Sequence, residues 1–395
     1  MASLFTGLYP SQHGVTRIGK ALREELPTLA ESLSGRGYLS SAFVANSLVN
    51  RFYTFDQGFH HFELVVRRGR DGSVRRPQCR RKCSAARVHD AFFRWLEGLG
   101  TEERKKPLFV YLHYMDTHVP YLPPPDVLEE VLARSDLSAE EKERTKLLHD
   151  LGDLKGLPDN KRDPLRLLEK VYDAEVKNLD RELRRFFAEL ERRGLLENSL
   201  VVFTSDHGEE FRDHGWMGHG HSLYEELVRI PLVVVPPGRT EPAAVDVPVS
   251  HVDIAATILD YARVDSGRGL EGKSFRRLLE GRDRGEGRRH AWVYIERASA
   301  PSKRSWQGPD PHRSAVVAGT HKAIRTKSGK VEFYDLSRDP KEQRPGRLPP
   351  EEARALSARL DEMHRKVTAE PRSAPTVALD EETKAQLREL GYAVE

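Results

Sequence analysis

Apolar and polar positions alternate along this chain in blocks whose period changes. Residues 38–45, 107–113, 200–204 and 232–235 are short runs of mostly apolar and β-branched side chains closed by turn residues. That pattern predicts strands buried on both faces. Between these runs the spacing becomes helical. Residues 84–99 place Val88, Phe92, Trp95 and Leu96 on one face, and residues 166–195 offer Leu167, Val171, Ala174 and Leu179 to a core. Residues 26–37 read as a helix with Pro27 near its start and Gly35 or Gly37 at its end, and residues 249–261 as an N-capped helix. Further on, residues 290–296, 314–318, 321–326 and 330–336 are short strands separated by turn residues, which predicts a small antiparallel sheet. A charged amphipathic helix follows at 351–368, and another short helix at 379–392. Three stretches lack a period. Residues 67–82 form a basic exposed loop, 122–160 an irregular charged surface insertion with turns at Pro123–Pro125 and 156–160, and 281–289 a charged linker.

Composition narrows the picture a little. The 395 residues suffice for one large α/β domain and a smaller one. A net charge of +3 with 32% charged residues gives no case for nucleic acid as the main partner. No apolar run is long enough to span a bilayer, and the opening residues lack the basic start and apolar core of a signal peptide. The two cysteines, Cys79 and Cys83, sit in a basic stretch with only His89 near in sequence, a poor zinc site; they read as part of a solvated loop.

Candidate chemistry concentrates after residue 200. The apolar run 200–203 leads into Thr204, Ser205, Asp206, His207 and Gly208. In open α/β sheets ligands bind just beyond the carboxyl ends of strands. An Asp-His pair there can give one carboxylate oxygen and one imidazole nitrogen to a single cation, and Gly208 permits close backbone approach. Four histidines, His207, His214, His219 and His221, fall within fifteen residues.

The segment from Phe203-Thr-Ser-Asp-His-Gly-Glu-Glu-Phe211 through Gly218-His-Gly-His-Ser-Leu-Tyr-Glu-Glu-Leu-Val-Arg-Ile-Pro-Leu-Val-Val-Val235 resembles the metal-binding segment of the sulfatase family, within the alkaline phosphatase superfamily. Other family elements are matched by Phe55-Asp-Gln-Gly-Phe59, Asp116-Thr-His-Val-Pro-Tyr121, Tyr172–Leu183, Val249–Asp260 and Tyr334-Asp-Leu-Ser-Arg-Asp-Pro-Lys-Glu342. The likeness is broken mainly at 64–83, 122–160 and 297–312. Leu4, Thr6 and Gly7 fall on the last fixed positions of the signature that follows the family's nucleophile. In that register Met1 stands where the family has Arg, and the nucleophile and first strand are expected ahead of Met1. The Met departs from the pattern needed to convert Cys to formylglycine, which leaves room for a Ser or Thr nucleophile and a phosphoryl substrate.

The resemblance implies an alkaline-phosphatase-like three-layer αβα sandwich with a mostly parallel sheet and a small C-terminal antiparallel subdomain. The expected division is 1–285 for the catalytic domain, 286–370 for the sheet-plus-helix subdomain and 371–395 for a tail. It implies a metal-dependent hydrolase of sulfate esters, on a small-molecule or glycan substrate. The alternatives are a phosphonate or phosphodiester hydrolase or phosphoglycerol transferase, and an inactive or binding protein. Asp206 and His207 become the metal ligands, for Ca²⁺ first, with Mn²⁺ or Zn²⁺ open because an imidazole joins the oxygens. His118 takes a substrate or acid role. His219, or His221, stands where the family's Lys contacts the substrate and leaving-group oxygen. Asn46 stands nearest the family's oxyanion-binding Lys and could donate its amide, or simply serve as a turn residue. His214 is expected at the surface or behind the ligands. His251 and Asp253 lie close enough in sequence to form a site, but the family uses that segment structurally.

Overall fold

The computed structural model describes residues 1–65, 83–151, 162–238, 241–265, 269–283, 292–297, 312–369, 373–379, 381, 383, 384 and 387. In chain order these form α1 (Ala2–Thr6), α2 (Pro10–His13), α3 (Leu29–Ser34), β1 (Leu39–Val44), β2 (His61–Leu64), α4 (Ala85–Gly98), β3 (Leu108–His113), α5 (Pro125–Arg134), α6 (Ala139–Leu151) and α7 (Arg162–Arg192). Then come β4 (Val201–Thr204), β5 (Glu210–Phe211), β6 (Met217–Gly218), α8 (Glu225–Val228), β7 (Leu232–Val235), α9 (His251–Tyr261), α10 (Arg276–Leu279), β8 (Trp292–Glu296), β9 (His312–Ala318), β10 (His321–Thr326), β11 (Val331–Asp335) and α11 (Pro350–Thr368). The basic loop at 67–82 with Cys79, the turn at 156–160, and much of the linker and tail lie outside the described residues. No described helix is long and apolar enough to cross a membrane.

The chain divides into two compact units that interleave in sequence: residues 1–36 with 196–377, and residues 37–195 with 378–395. The C-terminal sheet thus shares a unit with α1–α3 and with β4.

In the second unit β1 is the centre of a three-stranded parallel sheet, order β2-β1-β3. All six β1 residues are buried, as an inner parallel strand requires. Of its two buried serines, Ser40 is held by a hydrogen bond from its Oγ to the Gly58 carbonyl at 2.6 Å. The apolar face of α4 (Val88, Phe92, Leu96) packs with Leu39 and Phe43 of the sheet and Phe186 of α7. Asp116 Oδ1 accepts the Ala85 N–H at the start of α4. The insertion expected to be irregular contains two helices instead. Ser138 and Glu141 form a reciprocal cap ahead of α6, and ion pairs Lys177–Glu130 and Arg181–Asp126 join α7 to α5. The cap was present in the sequence, but the high charge of this stretch hid the helical period.

In the first unit, α3 carries the capping box Thr28/Glu31 and α9 the box Ser250/Asp253. β4 and β7 pair antiparallel, Val201 opposite Val235 and Thr204 opposite Leu232. The sequence predicts both as buried strands. The structure leaves every β4 residue half-buried and exposes Val233 and Val235 by 54% and 42%. Among the described residues each has a single hydrogen-bonded neighbour strand. The C-terminal strands form the antiparallel sheet β11-β10-β9-β8. Leu356, Leu360, Met363 and Val367 of α11 seal it, packing with Tyr294, Val316 and Ala323 and with Tyr9 and Val252. His321–Glu352 and Arg325–Asp361 ion pairs hold α11 along β10.

Candidate metal centre at the Asp206 turn

β4 ends at Thr204, and the chain turns through Ser205 into Asp206 and His207. Two contacts fix the turn. The Gly208 N–H donates to the Leu227 carbonyl of α8 at 2.9 Å, and a Cβ at position 208 would lie 1.9 Å from the Glu226 carbonyl oxygen. Only glycine lets the backbones come this close. On the other side, His251 at the start of α9 donates from Nε2 to the Ser205 carbonyl at 2.8 Å. Burial lowers the His251 pKa, and the nearby Met1 amino group adds to this, so the ring is a neutral, fixed donor.

His207 Nδ1 lies 2.8 Å from the Gly208 carbonyl, so Nδ1 carries the proton and donates it. The lone pair then sits on Nε2, which is 3.7 Å from Asp206 Oδ2. Both side chains are more than a third exposed. A carboxylate oxygen and an imidazole nitrogen at that separation, with the other imidazole nitrogen tied to a carbonyl, form a donor set that fits one divalent cation. Burial lowers the Met1 α-amino group, opposed by the charge of Asp206, so the start of α1 lies within electrostatic reach of the same carboxylate.

His219 joins this group. Its ring stacks on His207 with centroids 4.0 Å apart, and its Nδ1 donates to Glu209 Oε1 at 3.0 Å. Glycines 218 and 220 on either side adopt positive φ, which swings consecutive histidines apart. His221, considered from sequence for the substrate, is buried instead against Trp216 and donates from Nε2 to Glu210 Oε2 at 3.1 Å. Burial pushes the Glu210 carboxyl up, but hydrogen bonds from His221 and the Trp216 and His214 amides outweigh it and hold the pKa below the usual range.

His214 is not a surface group. Nδ1 is 2.7 Å from Glu226 Oε1, Nε2 is 3.1 Å from the Glu342 carbonyl, and the ring stacks on Tyr224 at 3.5 Å. Glu210, His214 and Glu226 bring ligand atoms within 4.8 Å of one another, a second place where a cation could be held. The sequence reading missed Glu209, Glu210 and Glu226. The available signal was the pairing of each histidine in 214–221 with an acid in 209–226.

The two remaining candidates belong to the second unit. Asn46 is buried, and its Oδ1 accepts the Leu48 N–H at 2.8 Å, closing a turn and leaving the amide NH₂ as donor. His118 donates from Nδ1 to the Val119 carbonyl at 2.6 Å. The structure therefore gathers Asp206, His207 and His219, and diverts His221 to Glu210.

Comparison with known proteins identifies the family. The sulfatase family profile matches residues 1–264, and the N-sulphoglucosamine sulphohydrolase C-terminal profile matches 212–368. An arylsulfatase of Clostridium perfringens is 26% identical over 261 residues, 62% of this chain and 50% of that protein. Arylsulfatase K of Gallus gallus is 31% identical over 187 residues, 45% of this chain and 33% of that one. The chain thus spans half or less of the length of these relatives. Among solved structures, a complex with its substrate D-glucosamine-2-N,6-O-disulfate superposes with a TM-score of 0.70 at 20% identity, over 94% of this chain and 88% of that one. A phosphonate monoester hydrolase from Silicibacter pomeroyi gives 0.66 at 20% identity, over 92% and 85%. These likenesses establish an alkaline-phosphatase-like α/β fold. The profile match over residues 1–264 establishes more: the chain belongs to the metal-dependent sulfatase family.

Proposed function

We propose that this protein hydrolyses sulfate esters of a small molecule or glycan, with Asp206 and His207 holding a divalent cation. The observation that carries the reading is the pairing of Asp206 Oδ2 with His207 Nε2, 3.7 Å apart at the end of β4, within a sulfatase-family segment. When bound, the cation supplies positive charge to the ester oxygens and to the negative charge that develops on them. Ca²⁺ is the first choice for the carboxylate-rich shell of this family, and the imidazole admits Mn²⁺ or Zn²⁺.

The chain's own groups take the other roles. His219, fixed by Glu209, presents Nε2 for proton transfer at the leaving oxygen. His118 and Asn46, in the second unit, carry the substrate or acid role and the oxygen contact that the family resemblance implies. His221 serves Glu210, and the substrate contact first considered for it passes to His219 alone.

The test uses the purified protein, stripped with chelator and reloaded with Ca²⁺, Mn²⁺ or Zn²⁺. Cation binding is measured by calorimetry and turnover on an aryl sulfate, an aryl phosphate, an aryl phosphodiester and an aryl phosphonate. The expected result is one bound cation, with sulfate preferred. Asp206→Ala should weaken binding by more than the ~10–100-fold typical of outer partners. Preference for phosphodiester or phosphonate would move the chain to phosphoryl chemistry. Cation binding unaffected by Asp206→Ala would overturn the site.

A further inference from the structure

Lys322 on β10 is fully buried, which is rare for an ammonium group. Its Nζ lies 2.8 Å from Glu225 Oε1 and 2.9 Å from Glu342 Oε1, and the Glu342 side chain is equally inaccessible. Burial raises the Glu342 carboxyl above its usual range, with the Lys322 charge opposing the shift. Taking such charges out of water is expensive, and a buried ion cluster is weak evidence for stability as its purpose. Its connections point to another purpose.

Glu225 opens α8, and its N–H donates to Glu342 Oε2 at 2.6 Å. Glu342 has φ 50, a conformation rare for a residue with a Cβ, and its carbonyl accepts from His214 Nε2 at 3.1 Å. The other His214 nitrogen faces the Glu226 carboxylate at 2.7 Å. Burial pushes the His214 pKa down, but Glu226, by hydrogen bond and charge, and the Glu342 carbonyl outweigh it and raise the pKa, so the ring bridges Glu226 and Glu342. To serve as a metal ligand, His214 would have to release one of them. Lys322 and His214 thus clamp the first two residues of α8. The next carbonyls of α8 meet the metal turn: Leu227 O accepts the Gly208 N–H, and Glu226 O fills the space a Cβ at 208 would need. Gly208 in turn supplies the carbonyl that orients His207.

We propose that Lys322, Glu342 and His214 are positioning residues that anchor α8, and through it set the Asp206–His207 turn in the geometry that binds the cation. The proposal rests on the cation site described above. None of the three is among the ligands proposed for the cation at the Asp206 turn.

The experiment measures Ca²⁺ affinity by calorimetry and metal-free melting temperature in chelator, on the whole chain. Lys322→Met should weaken Ca²⁺ binding ~10–100-fold, as loss of outer support does at other metal sites, and should lower the melting temperature by leaving Glu342 uncompensated. Adding Glu342→Leu removes that buried charge. Melting should then recover, while Ca²⁺ affinity stays low because Glu225 has lost its acceptor. Arg325→Met, on the same strand but paired with Asp361 of α11, should lower melting and leave Ca²⁺ affinity unchanged. If Lys322→Met does not fold, Glu342→Gln reads the same coupling at nearly constant shape, with a roughly tenfold loss expected. Unchanged affinity in Lys322→Met or Glu342→Gln, or affinity that recovers together with melting in the double variant, would overturn the proposal. An unmodified protein with no Asp206-dependent Ca²⁺ binding would sink the site reading instead, and is distinguishable because it needs no Lys322 variant.

Discussion

Two pairs of strands in the same unit differ in sequence, and their burial is the reverse of what that difference suggests. β4 and β7 are runs of valine, leucine and phenylalanine, yet they form a two-stranded pair with half-buried and exposed side chains. β9 and β10 carry two histidines, a lysine and two arginines, yet Val316, Ala323 and Ile324 are inaccessible and even Lys322 is sealed. Neighbours decide burial. β9 and β10 each have a strand on either side and α11 across one face. β4 and β7 present a short platform whose end carries the Asp206 turn. The sealed sheet packs against α11, and the turn carries the ligands proposed for the cation.

That division predicts a double dissociation. Leu360 is fully buried beneath the C-terminal sheet. Leu360→Ala should cost about 2–5 kcal/mol of stability in urea unfolding, from lost transfer energy plus the cavity, with Ca²⁺ affinity unchanged. Gly208→Ala should do the reverse. The new Cβ would meet the Glu226 carbonyl at 1.9 Å, so the turn must move, and Ca²⁺ should bind ~10–100-fold more weakly with a small change in melting. If both variants lose both properties in proportion, sheet and turn are one cooperative element and the comparison fails.

How much of this was legible from the residues alone follows from the same distinction. β1, β3, β10 and α9 have nearly the predicted bounds, because an apolar period or a capping box specifies them locally. Asp206, His207 and His219 could be picked out because strand, turn and ligand types are contiguous. α5 and α6 were missed: their helical period is weak beside their charge, and α7 supplies the surface that makes them pack. Glu210 and Glu226 were missed because their function is a hydrogen bond to a histidine, and which acid meets which histidine depends on the positive φ of glycines 218 and 220. The exposure of β7 was equally hidden, since an apolar run reports strand propensity and says nothing of what covers the strand.

Histidines divide the unfolding profile by pH. Burial, then the Met1 amino group, lowers His13 to about 3. Burial alone lowers His89 to about 4. These folded values lie below the unfolded value near 6.5, so as pH falls the unfolded chain takes up protons that the fold refuses. Stability is full above about 6.5 and declines below it, by about 1.4 kcal/mol per pH unit for each histidine until its folded pKa is reached. His214 has the opposite sign. Burial pushes its pKa down, but the Glu226 hydrogen bond and charge, the Glu342 carbonyl and the Glu210 charge together raise it. Its contribution is complete below about 6.5 and is lost as pH rises through the folded value. Urea midpoints measured from pH 4 to 9 should fall at both ends. His13→Gln should flatten the acid limb, and His214→Gln the alkaline limb. Identical alkaline limbs with and without His214 would show that its pKa is not raised in the fold.

The smallest predicted effect tests the comparison most directly, because it makes one chemical change in both places. Val→Thr keeps shape and adds a hydroxyl. At Val316, inaccessible on β9, that hydroxyl must find a partner among apolar side chains or go without, at a cost of about 1–3 kcal/mol. At Val233, more than half exposed on β7, water solvates it and threonine suits a strand as well as valine does. Val233→Thr should therefore change stability by no more than about 0.5 kcal/mol. A cost at Val233 matching that at Val316 would mean that β7 is covered in solution. The turn it supports would then owe its position to packing on that face rather than to the contacts from α8.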